Sequence, residues 1–390
     1  MCIFIPDWQE RAVVSSPNKI SSVIFCTGYM DTKIKIRHTG VRILITVLCI
    51  LTFNILLAFS HRFAEFYFHR LFNSISSFLR QVLGKVPFSI GDVIYGAWII
   101  TAGIYLLKLC YKIVKRKWNL LGLQLLRGIQ SLLTIYLAFL LLWGFNYDRS
   151  SLEKDLQLEV TSYGKEQLYR LTDTLLQQVN ADRYALGDTM NAIHPGADSA
   201  RMFQQAILAY EKAGQEWPSL QYRNPCIKPS LYSHWLNYMG VGGYLNPFTG
   251  EAQVNVTTPG FLHPFTICHE MAHQLGYAPE EEANFVGYLV AVNDTSPRFR
   301  YAANFEMFMY SVRQLRRQDT TLAGQLWRRA VPGIKADVRQ LREFYEQYRG
   351  PVDNYTAMIY DQYLKANKQE MGIRSYSEVV GWLIAYFKIR

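Results

Sequence analysis

The chain has 390 residues, enough for two or three folded units. Half of it is hydrophobic and 14% aromatic, but only 18% is charged, against about 25% in ordinary soluble domains, so apolar residues must face lipid or a large core. The formal net charge is +10, yet the dense basic cluster at Lys112–Lys117 abuts apolar runs; it reads as membrane topology, and no nucleic-acid-binding signature accompanies it.

Residues 1–37 read as an N-terminal tail. Residues 1–29 are mixed and lack a signal-peptide core, and Met30 would open a compact basic segment before the first apolar run. Residues 38–147 read as a membrane region. The first run, Val41 to Ser60, has the length of a spanning helix. A second covers about 90–110. A third covers about 128–147 and ends in Trp143 and Tyr147, rings that suit a membrane–water interface. Lys33, Lys35 and Arg37 precede the first run, and Lys108, Lys112, Lys115, Arg116 and Lys117 separate the second from the third. By the positive-inside rule both groups are cytoplasmic, which puts the chain after Tyr147 outside the cytoplasm. Arg62, Arg70, Arg80 and Lys85, between the first two runs, weaken that asymmetry.

From 148 to 390 no run is long enough to span. Glu166–Asn180 and Ala200–Gly214 carry apolar residues at helical spacing. Val241–Val256 has Gly, Asn and Pro punctuation followed by alternation at Ala252, Val254 and Val256, which predicts a turn and a strand. The last stretch, ending "SEVVGWLIAYFKIR", is apolar but short and contains Glu378, so it predicts a core helix and not a fourth span. The fold class is therefore mainly α: a three-helix transmembrane region followed by an α+β domain with a small sheet. The 6 cysteines include no CxxC pair, so neither a cysteine zinc site nor a dithiol redox motif is supported. Cys226 and Cys268 could pair only if the fold brings them together.

The chemistry lies in "TICHEMAHQLGYAPEEEANF", Thr266 to Phe285. His269, Glu270 and His273 form HExxH. On a helix, positions i and i+4 share a face one turn apart, so both imidazoles can reach one zinc ion. Glu270 cannot easily be a ligand as well, but it can hold and deprotonate the water that the metal carries. Pro264 suits the start of this helix and Gly276 its end. Between them lie only about three turns, too few for a motif inside a spanning helix. With 8 histidines in the chain, a chance match to the pattern is rare.

A catalytic site needs a third protein ligand and an open fourth position. The candidates are Glu280, Glu281 and Glu282. Glu282 lies three and four residues before Phe285 and Val286, on the expected buried side of a second helix, and is the preferred ligand; Glu281 follows. The segment "GGYLNPFTGEAQVN" is the candidate peptide-binding strand, with Gly243, Tyr244 and Asn246 as substrate-binding residues. A donor for a developing oxyanion could come from His263, Tyr244, Tyr301 or Tyr376.

"HEMAH" followed by "EEEANF" resembles the gluzincin arrangement, an HExxH helix and a second helix that supplies a glutamate before a small residue. Glu282–Ala283 fits that pattern, although the span from His273 is short. Beyond the motif, "PFSIGD" (Pro87–Asp92), "NPFTGEAQVN" (Asn246–Asn255), "HEMAHQLGYAPEEEANF" (His269–Phe285) and "GIRSYSEVVGWLIAYF" (Gly372–Phe387) resemble an uncharacterised bacterial membrane family, the domain of unknown function 3810. The resemblance implies a zincin-like domain held at the bacterial inner membrane, with Zn2+ as cofactor. It implies no substrate. Two functions are expected to compete: a zinc metallopeptidase acting on an unknown peptide or protein, and a non-enzymatic membrane protein braced by zinc that binds a partner or envelope component.

Overall fold

The computed structural model describes residues 17–149, 152–187, 189–193, 199–221, 223–372 and 378–389, with side chains from residue 32 onward. The expected tail falls partly outside these residues, and the first helix begins at Pro17. Cys2 and the side chain of Cys26 also lie outside them. The protein is mainly helical, with one small sheet among the described residues. By internal contacts it forms two units. One is the described part of Met1–Asn54 with Ile100–Leu137; the other is Ile55–Ile99 with Ala138–Arg390. A boundary at 147 therefore does not divide the contacts, because stretches around the ends of three apolar helices belong to the second unit.

Those helices, Thr32–Phe59, Ile90–Val114 and Trp118–Leu142, are each long and apolar enough to cross a membrane. The third begins about one heptad and a half before the expected start and stops short of Tyr147. Its first half carries Gln124 and Gln130, which mask it in a hydropathy reading. Both side chains have partners within the first unit. Gln124 Nε2 donates to the Tyr105 carbonyl (3.1 Å), Lys112 donates to Gln124 Oε1, and Gln130 Nε2 donates to Thr46 Oγ1 (3.1 Å). Paired in this way, polar groups are tolerated in apolar helices. At the other end the helix gives way to a 3-10 turn, Gly144–Asp148.

In the second unit, the expected helices form at Lys165–Ala185 and Ser199–Glu216. The first of these packs along Pro297–Gln318. The C-terminal helix Val379–Tyr386 lies in the core, with Trp382 on Phe285 at 5.4 Å, as its shortness predicts. Cys226 and Cys268 are both buried and both free thiols, so they do not pair.

The sheet has three strands, β1 (Ile227–Pro229), β2 (Gly243–Leu245) and β3 (Ala252–Val254). β3 is central, parallel to β1 with Ile227 opposite Ala252, and antiparallel to β2 with Gly243 opposite Val254. β2 is therefore an edge strand. The predicted alternation along β3 does not hold, since all three residues are buried. Gln253 is accommodated because its Nε2 donates to Ser89 Oγ (2.8 Å), at the start of the second apolar helix.

That helix start is bound tightly to the sheet. Glu251 accepts from the backbone N–H groups of Ile90 (3.2 Å) and Gly91 (2.5 Å), placing a carboxylate at the positive end of the helix. Lys228 Nζ meets the same carboxylate at 2.6 Å and also donates to the carbonyls of Leu83 and Phe88. Asp92, wholly buried, accepts from Leu231 N–H (2.7 Å), Ser230 Oγ (3.1 Å) and the Tyr244 hydroxyl. "PFSIGD" and "NPFTGEAQVN" are thus two halves of one joint.

Candidate metal centre

HExxH lies on the helix His263–Gln274, hereafter the motif helix, with Pro264 in its first turn. Gly276 follows it at φ +91°, a left-handed value that favours glycine, and its N–H bonds the His273 carbonyl at 2.9 Å. The turn leads at once into the acidic helix, Glu280–Val292, whose N-cap is Pro279. The two helices pack closely because Gly287 has no side chain. A Cβ there would lie 3.0 Å from His269 N and 3.1 Å from His269 Cα. On the other side the motif helix rests on β2 and β3, and Gln274 Nε2 ties its end to the carbonyls of Cys226 and Gly250, both at 2.7 Å.

Ligand atoms of His269, His273 and Glu280 converge here; among the described residues they are the one His/Cys/Asp/Glu group that could hold a metal ion. Glu280 Oε2 lies 3.3 Å from His269 Nε2 and 3.6 Å from His273 Nε2. Tetrahedral ligands at bond lengths of about 2.0–2.1 Å are separated by about 3.3 Å, so these spacings fit one zinc ion. The donor set, two imidazoles and a carboxylate, also suits zinc. His273 Nδ1 lies 2.7 Å from the Tyr277 carbonyl, which fixes the proton on Nδ1 and turns Nε2 toward the centre. Trp143 sets its ring edge-to-face on His273 at 5.8 Å. Tyr360 donates to Glu280 Oε1 at 2.6 Å and leaves Oε2 for the imidazoles.

The expected third ligand was Glu282, with Glu281 in reserve; neither joins the histidines. Glu282 is buried as the helical phase predicts, but its Oε1 accepts from the Leu152 N–H (3.0 Å) and anchors the chain that follows the third apolar helix. Glu281 accepts from Gln369 Nε2 (3.3 Å), and burial pushes its carboxyl up to about 7. Glu280 is the first residue of its helix, and side chains there lean back toward the preceding turn. That turn comes directly from His273, so Glu280 returns over the motif helix.

Electrostatics separate the roles of the two nearby carboxyls. Burial raises the carboxyl of Glu280, but hydrogen bonding to both imidazoles overrides this and holds it well below the usual carboxylate range. Burial works against the His273 imidazolium, and the Glu280 carboxylate reverses the balance, raising it to about 9. Glu270 is pushed up to about 7, chiefly by burial, with the two histidines pulling it back. Its Oε2 is buried without a hydrogen-bond partner. Glu306 and Tyr310, on Pro297–Gln318, lie within electrostatic reach of His269 and Glu280 respectively; no motif in the sequence marked them.

Of the expected substrate-binding residues, Gly243 alone borders the centre. A Cβ there would meet Glu270 Oε1 at 2.7 Å, so β2 can run past Glu270 only as glycine. Tyr244 gives its hydroxyl to Asp92. Asn246 is buried, and its Oδ1 accepts from Phe248 N–H (3.0 Å) and Thr249 N–H (3.2 Å), closing the β2–β3 turn. The expected oxyanion donors are also engaged elsewhere. His263 Nε2 lies 3.1 Å from Thr258 Oγ1, at the opposite end of the motif helix from His273. Tyr301 donates to Asp337 at 2.5 Å; both it and His263 line a separate cavity of about 650 Å³. Tyr376 lies outside the described residues.

No curated protein and no solved structure matches the chain. A family model does, over residues 67–384, which takes in the joint, the sheet, the motif helix and the acidic helix: the chain belongs to the family described as protein of unknown function (DUF3810).

Proposed function

We propose that the chain is a membrane-anchored, zinc-dependent metallopeptidase of gluzincin type, with His269, His273 and Glu280 as ligands and Glu270 as general base. One observation carries this reading. Three ligand atoms converge at zinc spacing beside a buried carboxylate that is not a ligand and has an oxygen to spare. Bound zinc would supply Lewis acidity and a water with its pKa lowered to about 7. The chain's own residues would do the rest. Tyr277 and Tyr360 hold His273 and Glu280 in place. Glu270 takes a proton from the attacking water and returns it to the departing amine, and its buried Oε2, which has no hydrogen-bond partner, is free to hold that proton. β2, at the sheet edge beside Glu270, can add an extended peptide as a further strand.

Three apolar helices support a multi-pass chain, and the basic residues from Lys33 to Arg37 and Lys108 to Lys117 support cytoplasmic placement of their flanks. On that topology the metal centre is outside the cytoplasm of a bacterial cell, facing an unknown peptide or protein substrate.

A zinc brace without hydrolysis is the second reading. Depth favours it: His269, Glu270, His273 and Glu280 are only 7, 4, 7 and 3% exposed. The two separate in one experiment. Full-length protein purified in detergent is assayed for zinc and for cleavage of a peptide library, beside Glu270→Gln. The peptidase reading expects zinc in both proteins and a loss of about 10²–10⁴-fold in rate in the variant. Zinc without cleavage of any peptide supports the brace; equal rates overturn the role of Glu270.

A further inference from the structure

The helix Asn73–Leu83 buries its one charged residue and leaves two of its large apolar side chains exposed. Ser76 and Arg80, one turn apart, are buried, whereas Phe78 and Val82, also one turn apart, are 63% and 49% exposed. Arg80 points inward because it has carbonyls to bind. Its Nη1 donates to the Gln274 carbonyl (2.8 Å), and Nε and Nη2 reach the carbonyls of Asn224 and Arg223, both at 3.1 Å. Ser76 and Arg80 are thus spent on the domain, Ile75, Leu79 and Leu83 are half-buried, and Phe78 and Val82 face out.

A second apolar exposure lies beside the second apolar helix. Leu231 is 54% and Trp235 68% exposed. Their segment is bonded to the first turns of Ile90–Val114: Leu231 N–H donates to Asp92 Oδ2, and the Tyr232 hydroxyl donates to the Asp92 carbonyl (2.9 Å) and lies against Gly96. Phe88, 45% exposed, directly precedes that helix. A turn rises about 5.4 Å, so Leu231 and Tyr232 sit within the outermost two turns of a membrane-length helix. In that layer Trp and amphipathic helices settle between water and hydrocarbon.

We propose that Phe78, Val82, Phe88, Leu231 and Trp235 rest in the interfacial layer of a lipid bilayer and seat the metal centre at its surface. The occupant is lipid because the exposed residues continue directly from the opening turns of a membrane-length helix, residues 90–99, which belong to the same unit. Both sides of the centre are tied to this belt: Arg80 holds the end of the motif helix at Gln274, and Asp92 holds β2 through Tyr244. A substrate of this site is then a polypeptide segment presented at the membrane surface. That last step rests on the peptidase reading; the lipid contact does not.

The test uses the full chain in phosphatidylcholine nanodiscs with plain or brominated acyl chains, bromine being a short-range quencher of tryptophan. Emission from position 235 is the difference between the native protein and Trp235→Phe. Phe78→Trp reports the helix Asn73–Leu83. The expected result is at least a twofold loss of emission at both positions in brominated lipid. Unchanged emission at either position overturns the shared plane, whatever the zinc content. Quenching at both with no peptide cleaved leaves the lipid contact standing and counts against the peptidase reading alone.

Discussion

Replacing Glu280 by Gln removes the negative charge from the proposed ligand set while keeping the shape of the side chain. In the structure, Glu280 Oε2 stands 3.3 and 3.6 Å from the two Nε2 atoms, and Oε1 accepts the Tyr360 hydroxyl. A residue that only orients a ligand, as Tyr360 orients Glu280, costs about 10–100-fold in metal affinity when removed. Tyr360→Phe should fall in that range. A ligand should cost more, so Glu280→Gln should weaken zinc by over ~100-fold, or above about 2.7 kcal/mol. Glu282→Gln is the matched control. Its carboxylate accepts the Leu152 N–H, which the amide oxygen can still accept as a neutral group, so the loss is about 1 kcal/mol of stability with zinc affinity unchanged. Competition titration with a chromophoric chelator reads the affinities, and thermal melts read the stability. If Glu282→Gln released zinc and Glu280→Gln retained it, the assignment by geometry would be refuted.

Gly243→Ala drives a methyl to within 2.7 Å of Glu270 Oε1 and 3.0 Å of the Gln253 carbonyl. The carboxylate must move, so hydrolysis should fall at least about tenfold while zinc remains, an overpacking cost of about 1–3 kcal/mol appearing in the melt. Gly287→Ala presses instead on the backbone of His269; it should separate the two helices and lower both Tm and zinc affinity, whereas Gly324→Ala, with its nearest neighbour 4.0 Å away, should do neither. Glu251→Ala leaves Lys228 buried without its carboxylate and uncaps the second apolar helix, so the full chain should lose about 3–5 kcal/mol in a denaturant titration in detergent. Zinc at a hundred times its dissociation constant should stabilise the native chain by about 2.7 kcal/mol, and this gain should vanish in Glu280→Gln.

Local patterns in the sequence carried much of this arrangement. Hydropathy marks the three apolar helices because their length requirement is local, and it errs at the third where Gln124 and Gln130 interrupt the run. HExxH is legible because i and i+4 meet on any helix, and Pro264 and Gly276 bracket it with conformational preferences of their own. The third ligand was not legible in the same way. Burial does not distinguish the glutamates, since Glu280 and Glu282 are both buried. What separates them is the direction of the first helical residue relative to a tight turn, a tertiary fact. The same limit applies to "NPFTGEAQVN". Its Gly, Asn and Pro punctuation marks the turn, but the partner of Glu251 lies 160 residues away in the chain, at Gly91. Arg80 reads as a stray basic residue between two apolar runs until its guanidinium is seen buried against Gln274.

X-ray absorption at the zinc edge, on the full-length chain in detergent, tests a zinc site of two imidazoles, one carboxylate and one open position beside Glu270. The spectrum should show one zinc per chain with two imidazole nitrogens and two oxygens at about 2.0–2.1 Å, one oxygen being lost when Glu280 is replaced. A sulfur ligand, a fourth protein ligand in place of the exchangeable oxygen, or a zinc-free protein after purification in excess zinc would contradict it.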